Sequence, residues 1–138
     1  MVVRTDYILE LIEQCTQAVL SAVLVIRGAV GLKKAEEAEE ELARAVGAWT
    51  GLDLDLALQL PTETLLQMLG AGALGAEQRL LLVGQAIALR CLVLRQQGQA
   101  SQSVLLAQKA NHLIAVALEG RPDLNSEGLQ SVLDAINA

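Results

Sequence analysis

Aromatic side chains are nearly missing from this sequence. It has no phenylalanine, one tyrosine and one tryptophan, so aromatic residues form 1% of its 138 positions. Proteins that bind single-stranded nucleic acids stack the bases on aromatic rings, and this chain has almost none to offer. Basic residues are also few, because 10 lysines and arginines stand against 16 acidic residues, and the net charge of -6 repels a phosphate backbone. We therefore expect no nucleic-acid partner.

Patterns typical of catalytic and metal sites are equally scarce. The single histidine, His112, has no second ligand four residues away and is interpreted as a surface residue. Asp53 and Asp55 are interpreted as capping and solubilising residues; acid–base chemistry or a hard-cation site is the alternative, without a third ligand nearby. The loop GAGALGAEQR lacks the Lys-Ser/Thr of a phosphate-binding loop. We expect no enzyme, and no catalytic, cofactor-binding or metal-binding residue.

A long hydrophobic run is also missing. Apolar residues make up 53% of the chain and the mean hydropathy is +0.42, but the apolar stretch Ala18–Ile26 is shorter than a membrane span of ~20 residues. Ser21 interrupts this stretch, and Asp6, Glu10 and Glu13 precede it where a signal peptide would be basic. We expect no membrane insertion and a cytoplasmic protein.

Cysteine is rare too, with two residues in the chain. Cys15 and Cys91 each lie on the apolar face of a predicted helix, which is typical of buried thiols. A chain of this length buries about two-thirds of the surface that its unfolded form exposes, so it needs neither a disulfide nor a metal for stability.

What the sequence does contain is helical periodicity, arranged around Gly98. One segment runs from Gly75 to Gln97 and a second from Ala100 to Glu119, which together predict a helical hairpin. The first segment carries two apolar faces on nearly opposite sides: Leu80, Gly84, Ile87, Cys91 and Leu94 form one, and Leu82, Leu89 and Val93 form the other. Because a helix that is apolar on two faces needs neighbours on both, we predict that this helix is the centre of the domain.

The remaining segments extend the helical pattern over the whole chain. Gly28 and Gly31 predict a turn between two helices, and Pro61 ends a short helical segment. The predicted organisation is a single all-helical domain, 1–138, with a first hairpin (5–27 and 32–48), short helices and a loop (51–75), a second hairpin (76–119) and a capping helix (125–138).

A run of glutamates marks the second predicted helix. Glu36, Glu37, Glu39, Glu40 and Glu41 fall away from its apolar stripe, so we interpret them as a solvated face. An acidic patch that binds a basic partner is the alternative.

The hairpin around Gly98 resembles a tetratricopeptide unit. The shared features are small residues at Cys91, Ser103 and Ala110, a large apolar residue at Leu94 and the glycine of the turn, whereas the aromatic positions of that repeat are empty here. The chain also resembles a family of uncharacterised bacterial all-helical proteins with tetratricopeptide-like hairpins. The resemblance lies in the order of four segments: RTDYILELIEQ, a helix rich in alanine and glutamate, GLDLDLALQLPTETLLQML and the hairpin. The resemblance implies an all-α fold of antiparallel helical hairpins stacked as a small tetratricopeptide-like bundle, with no assigned activity.

The apolar surplus suggests a binding role, although no pattern identifies a ligand. More apolar residues are present than single helix stripes need, and a partner or a second subunit would cover the excess. We predict a non-catalytic protein–protein interaction module that holds a protein or peptide of unknown identity and uses no cofactor. A structural or regulatory homo-oligomer, most simply a homodimer, is the alternative. The candidate contact residues are Leu20, Leu24, Val25, Leu105 and Val116, each of which could instead belong to the core.

Overall fold

All regular secondary structure in the described part of the chain is helical. The computed structural model describes residues 10, 12–14, 16, 17, 28–70 and 75–138, and no strand occurs among them. The helices are α1 (Gly28–Thr50), α2 (Leu54–Gln59), α3 (Thr62–Gly70), α4 (Ala76–Gln96), α5 (Ala100–Gly120), a 3₁₀ turn (Pro122–Leu124) and α6 (Glu127–Asn137). The described residues before Gly28 are helical as well. The prediction of an all-α fold is confirmed.

The helix α4 is enclosed by neighbours. The helices α1, α2, α3, α5 and α6 all contact it, and every residue from Leu80 to Leu89 is buried. Both of its predicted apolar faces are therefore covered, and the central position predicted for it is confirmed. Its polar boundary residue Gln85 is also buried and accepts a hydrogen bond from the Thr16 hydroxyl, with an O–O distance of 2.7 Å. Cys91 is buried as predicted, while Cys15 lies outside the described residues.

The helices α4 and α5 pack closely because their contact surface is made of small residues. A Cβ at Gly84 would lie 2.7 Å from Ile114 Cγ1 and 3.6 Å from the carbonyl oxygen of Ala110. Further along, the Ser103 hydroxyl donates to the Cys91 carbonyl at 3.1 Å, and the Cys91 thiol donates to the Ser103 carbonyl at 3.2 Å. Since contacts at later positions of α4 meet earlier positions of α5, the two helices are antiparallel.

A tight turn at Gly98 reverses the chain between these helices. Gly98 has a φ of 80°, in the left-handed region that glycine adopts without steric penalty. Its N–H donates to the Arg95 carbonyl at 3.2 Å, and the N–H of Gln99 donates to the Leu94 carbonyl at 2.9 Å. These two bonds form a Schellman motif, which satisfies carbonyls that the end of α4 would otherwise leave unpaired.

Basic side chains from α4 and α5 cap the C-terminal ends of three other helices. Arg79 donates to the Leu69 carbonyl of α3 at 3.3 Å, Arg95 to two carbonyls in the last turn of α6, and Lys109 to two carbonyls at the end of α2. None of the three capped helices has a basic residue in its own last turn. A cation at a helix C-terminus satisfies its free carbonyls and interacts favourably with the helix dipole. The helices α4 and α5 therefore contact their neighbours through hydrogen bonds as well as through apolar packing.

The predicted turn is wrong at Gly31, which lies within α1, whereas Gly28 is the first described residue of that helix. Glycine costs only about 1 kcal/mol inside a helix, which packing can offset. Buried Ala35, Leu42 and Val46 supply that packing in α1, which contacts α4. The last predicted helix is present as α6, where the Ser126 hydroxyl caps the N-terminus by accepting from the N–H of Leu129 at 3.0 Å. Most of the predicted first helix, 5–27, and residues 71–74 of the predicted loop lie outside the described residues.

Candidate functional site

A groove of about 980 Å³ lies between α5 and the corner where α2 meets α3. Apolar side chains line much of it: Leu58, Leu60, Pro61, Leu94, Leu105 and Leu106. Polar and charged groups also line it: Asp55, Gln59, Thr62, Arg90, Gln102, Gln108, Lys109 and His112. Clefts that combine apolar contact area with a few polar groups are the usual form of binding sites in proteins.

Leu105 is the most exposed large apolar side chain among the described residues. It is 64% exposed on the α5 wall of the groove, and its neighbour Val104 is 55% exposed. The helix turns both toward solvent because its opposite stripe, which includes Leu113, is buried against the core. Val116, another candidate contact residue, is half-buried and packs against that core. The other three candidates, Leu20, Leu24 and Val25, lie outside the described residues, so the predicted interface stays a prediction.

Lys109 joins the two walls of the groove. From α5 its ammonium donates to the carbonyl of Leu58 at 2.9 Å and to that of Leu60 at 2.7 Å, at the end of α2. Pro61 follows these carbonyls, so the chain leaves the helix with acceptors that have no partner in a further turn. Partial burial lowers the pKa of Lys109. Sequence reasoning missed this contact because the lysine is distant in the chain from the carbonyls that it binds.

An ion pair lies behind the groove, between α1 and α4. Glu39 is buried, with its side chain 12% exposed, and its carboxylate contacts the Arg90 guanidinium at 2.5 Å. Burial raises the pKa of Glu39, and the positive charge of Arg90 opposes that rise. The predicted solvated face is thus correct for the other four glutamates, which are exposed, and wrong for Glu39. The periodicity of α1 alone does not show that α4 presents an arginine to this position.

The aspartates and the histidine that the sequence singled out lie at the surface. Asp53 and Asp55 are exposed, and Asp53 occupies the N-cap position of α2 without a side-chain capping hydrogen bond, so that part of its prediction is wrong. His112 is exposed as predicted and, like Asp55, lines the groove. Among residues with a described placement, no group of three or more histidine, cysteine, aspartate or glutamate side chains could hold a metal ion. Over the same ranges, no helix combines the length and hydropathy needed to cross a membrane.

Comparison with known proteins finds no protein-family model, no curated protein and no solved structure that matches this chain. The resemblance to tetratricopeptide-like bacterial proteins therefore stays a prediction. What the geometry offers is a groove with apolar contact area, two basic side chains and several side-chain amides, supported on one side by the buried helix α4.

Proposed function

We propose that this chain is a non-catalytic protein–protein interaction module that binds a peptide or helix of a partner in the groove between α5 and the α2–α3 corner. Leu105 carries this proposal, because a large apolar side chain that is 64% exposed lines a groove with other leucines. Covering such a side chain removes apolar area from water, at about 25 cal/mol per Å². The amides of Gln59, Gln102 and Gln108 can pair with the polar groups of a bound backbone.

We also propose that the helices stack in a tetratricopeptide-like manner. The antiparallel packing of α4 on α5, the close approach at Gly84 and the turn at Gly98 support this arrangement. Stacked helix pairs of that kind form a curved surface on which a peptide or helix can lie. The membership of a bacterial family and a cytoplasmic location belong to the same proposal and rest on the sequence resemblance and on composition.

Site-specific photo-crosslinking tests the position of the partner. The chain is expressed with a benzophenone amino acid in place of Leu105 and, as a matched control, in place of Met68. Met68 is 53% exposed on α3 and does not line the groove. We expect one polypeptide to be crosslinked at position 105 and not at position 68. A product with twice the mass of the chain would instead indicate the homodimer.

Binding of the purified partner then tests the groove directly. We expect Leu105→Glu to weaken binding at least tenfold, about 1.4 kcal/mol, because it places a charge against the covered apolar surface. Met68→Glu should leave the affinity unchanged. Equal affinities for the two variants would show that the partner binds elsewhere and would remove the proposed role of the groove.

A further inference from the structure

The ion pair between Glu39 and Arg90 is incompletely satisfied on both sides. Glu39 Oε1 contacts the guanidinium, but Glu39 Oε2 is buried and has no hydrogen-bond donor. Arg90 Nε is likewise buried without an acceptor, while 30% of the arginine side chain is exposed. A carboxylate that gives up water and gains a single donor group is poorly compensated for its lost hydration.

Two acidic neighbours add to the free-energy cost of burying this carboxylate, whereas Arg90 reduces it. Glu36 lies three residues earlier on α1, on the same side of the helix, and Asp55 on α2 lines the groove together with Arg90. Of the charged groups that act on Glu39 from the described elements, these two are negative, and Arg90 on α4 is the single positive one. Burial is the main reason why the ionised form of Glu39 is disfavoured in the folded state; the attraction to Arg90 opposes it, and the repulsion from Glu36 and Asp55 adds to it.

We propose that Glu39 is a proton-binding switch between α1 and α4, and that uptake of a proton by its buried carboxyl strengthens the packing of α1 on α4. The direction is opposite to that of a surface salt bridge, which weakens in acid. Neutralising Glu39 removes the penalty of a buried anionic oxygen and, secondarily, the repulsion from Glu36 and Asp55; together these outweigh the lost attraction to Arg90. Arg90 also lines the groove. Protonation of Glu39 leaves the positive charge of Arg90 without its ion-pair partner, so the groove becomes more positive by one charge.

Protonation of Glu39 and stability of the folded chain are coupled, and the coupling favours the folded chain in acid. Burial raises the pKa of Glu39 above its ordinary value of 4.5, so the folded chain binds this proton more tightly than the unfolded chain does. The contribution of Glu39 to stability is therefore most favourable below pH 4.5 and falls as the pH rises through the raised pKa of the folded state. The packing of α1 should respond in the same direction, because exposure of Glu39 returns its carboxyl to water.

Two measurements on the full chain test this inference. The first follows the side-chain carboxyl of Glu39 by ¹³C NMR, where we expect a titration midpoint above 4.5. The second measures amide hydrogen exchange, corrected for intrinsic rates, at Leu42 and Val46 of α1. We expect their protection to rise between pH 7 and pH 4.5 by up to roughly tenfold for each unit by which the pKa is raised.

Glu39→Gln imitates the protonated side chain at nearly equal volume. We expect it to increase the protection of α1 at pH 7 and to abolish the rise in acid. Glu40→Gln, at an exposed position of the same helix, is the matched control and should keep the wild-type pH dependence. A midpoint for Glu39 at or below 4.5 would overturn the inference, as would lower α1 protection in acid or in Glu39→Gln.

Discussion

The helices α4 and α5 have the same length, 21 residues each, and opposite relations to solvent. All of α4 from Leu80 to Leu89 is buried, whereas α5 buries one stripe and exposes Val104 and Leu105. Within the described part of the chain, five other helices contact α4, while α5 packs mainly on α4. Packing on all sides therefore constrains the choice of residues in α4, whereas the outer side of α5 is exposed to solvent.

Truncating one leucine in each helix gives the largest expected contrast. Leu89 in α4 is fully buried and Leu105 in α5 is 64% exposed. We expect Leu89→Ala to lower the free energy of unfolding by about 2–5 kcal/mol, through lost transfer energy and the cavity left behind. Leu105→Ala should change it by less than about 0.5 kcal/mol. Denaturant unfolding followed by circular dichroism measures both, and similar losses would mean that the two helices do not differ in burial as described.

Removing a polar contact of α4 should lower the free energy of unfolding by a smaller amount. Arg95 donates to the carbonyls of Ala135 at 2.8 Å and Ile136 at 2.7 Å, which caps α6. We expect Arg95→Met to lower the free energy of unfolding by about 1–2 kcal/mol, since hydrogen bonds from a charged donor are lost and the carbonyls return to water. Amide exchange should show the loss of protection concentrated in α6.

The matched control for this test is Arg44→Met on α1. Arg44 is exposed and forms no ion pair or side-chain hydrogen bond among the described residues, so its replacement should leave α6 unaffected. If Arg95→Met loosens every helix equally, then Arg95 contributes to the core and not specifically to the end of α6.

Alanine substitution of two helical glycines should have the smallest effect on stability, with opposite signs at the two positions. A Cβ at Gly84, where α4 meets α5, would lie 2.7 Å from Ile114 Cγ1, whereas a Cβ at Gly47 in α1 meets nothing within 4 Å. Alanine improves helix propensity by about 1 kcal/mol at either position. At Gly84 overpacking of about 1–3 kcal/mol opposes this gain, so we expect net destabilisation by about 1 kcal/mol. Thermal unfolding should show a lower Tm for Gly84→Ala and a higher one for Gly47→Ala.

Much of the fold was predictable because it depends on local pattern. The two apolar faces of α4, the glycine at the turn before α5 and the start of the last helix are each visible within a few residues of sequence. The structure places α4 within one residue of its predicted ends and buries both faces. Glycines were a weaker guide, since Gly98 reverses the chain while Gly31 continues a helix. A glycine permits a turn, but packing of the neighbouring residues decides whether one forms.

The candidate site was less predictable. Leu105 was named as a contact residue from its place outside the buried stripe of α5, and the structure adds that it lines a groove. The other wall of that groove, with Leu58 and Leu60, comes from a segment about fifty residues away in the chain, and Lys109 joins the two. Such contacts leave no periodic signal, because the residues involved are separated by a whole helix or more.

The period of apolar residues is a local property, so it was enough to predict a helical chain, the position of its central helix and the buried stripes. Helix packing, by contrast, sets which helices meet and buries Glu39 against Arg90 while its neighbouring glutamates face solvent. It also brings basic side chains of α4 and α5 to the ends of α2, α3 and α6. Each of these joins groups distant in sequence, and their pairing follows from how the helices pack rather than from the pattern within any one of them.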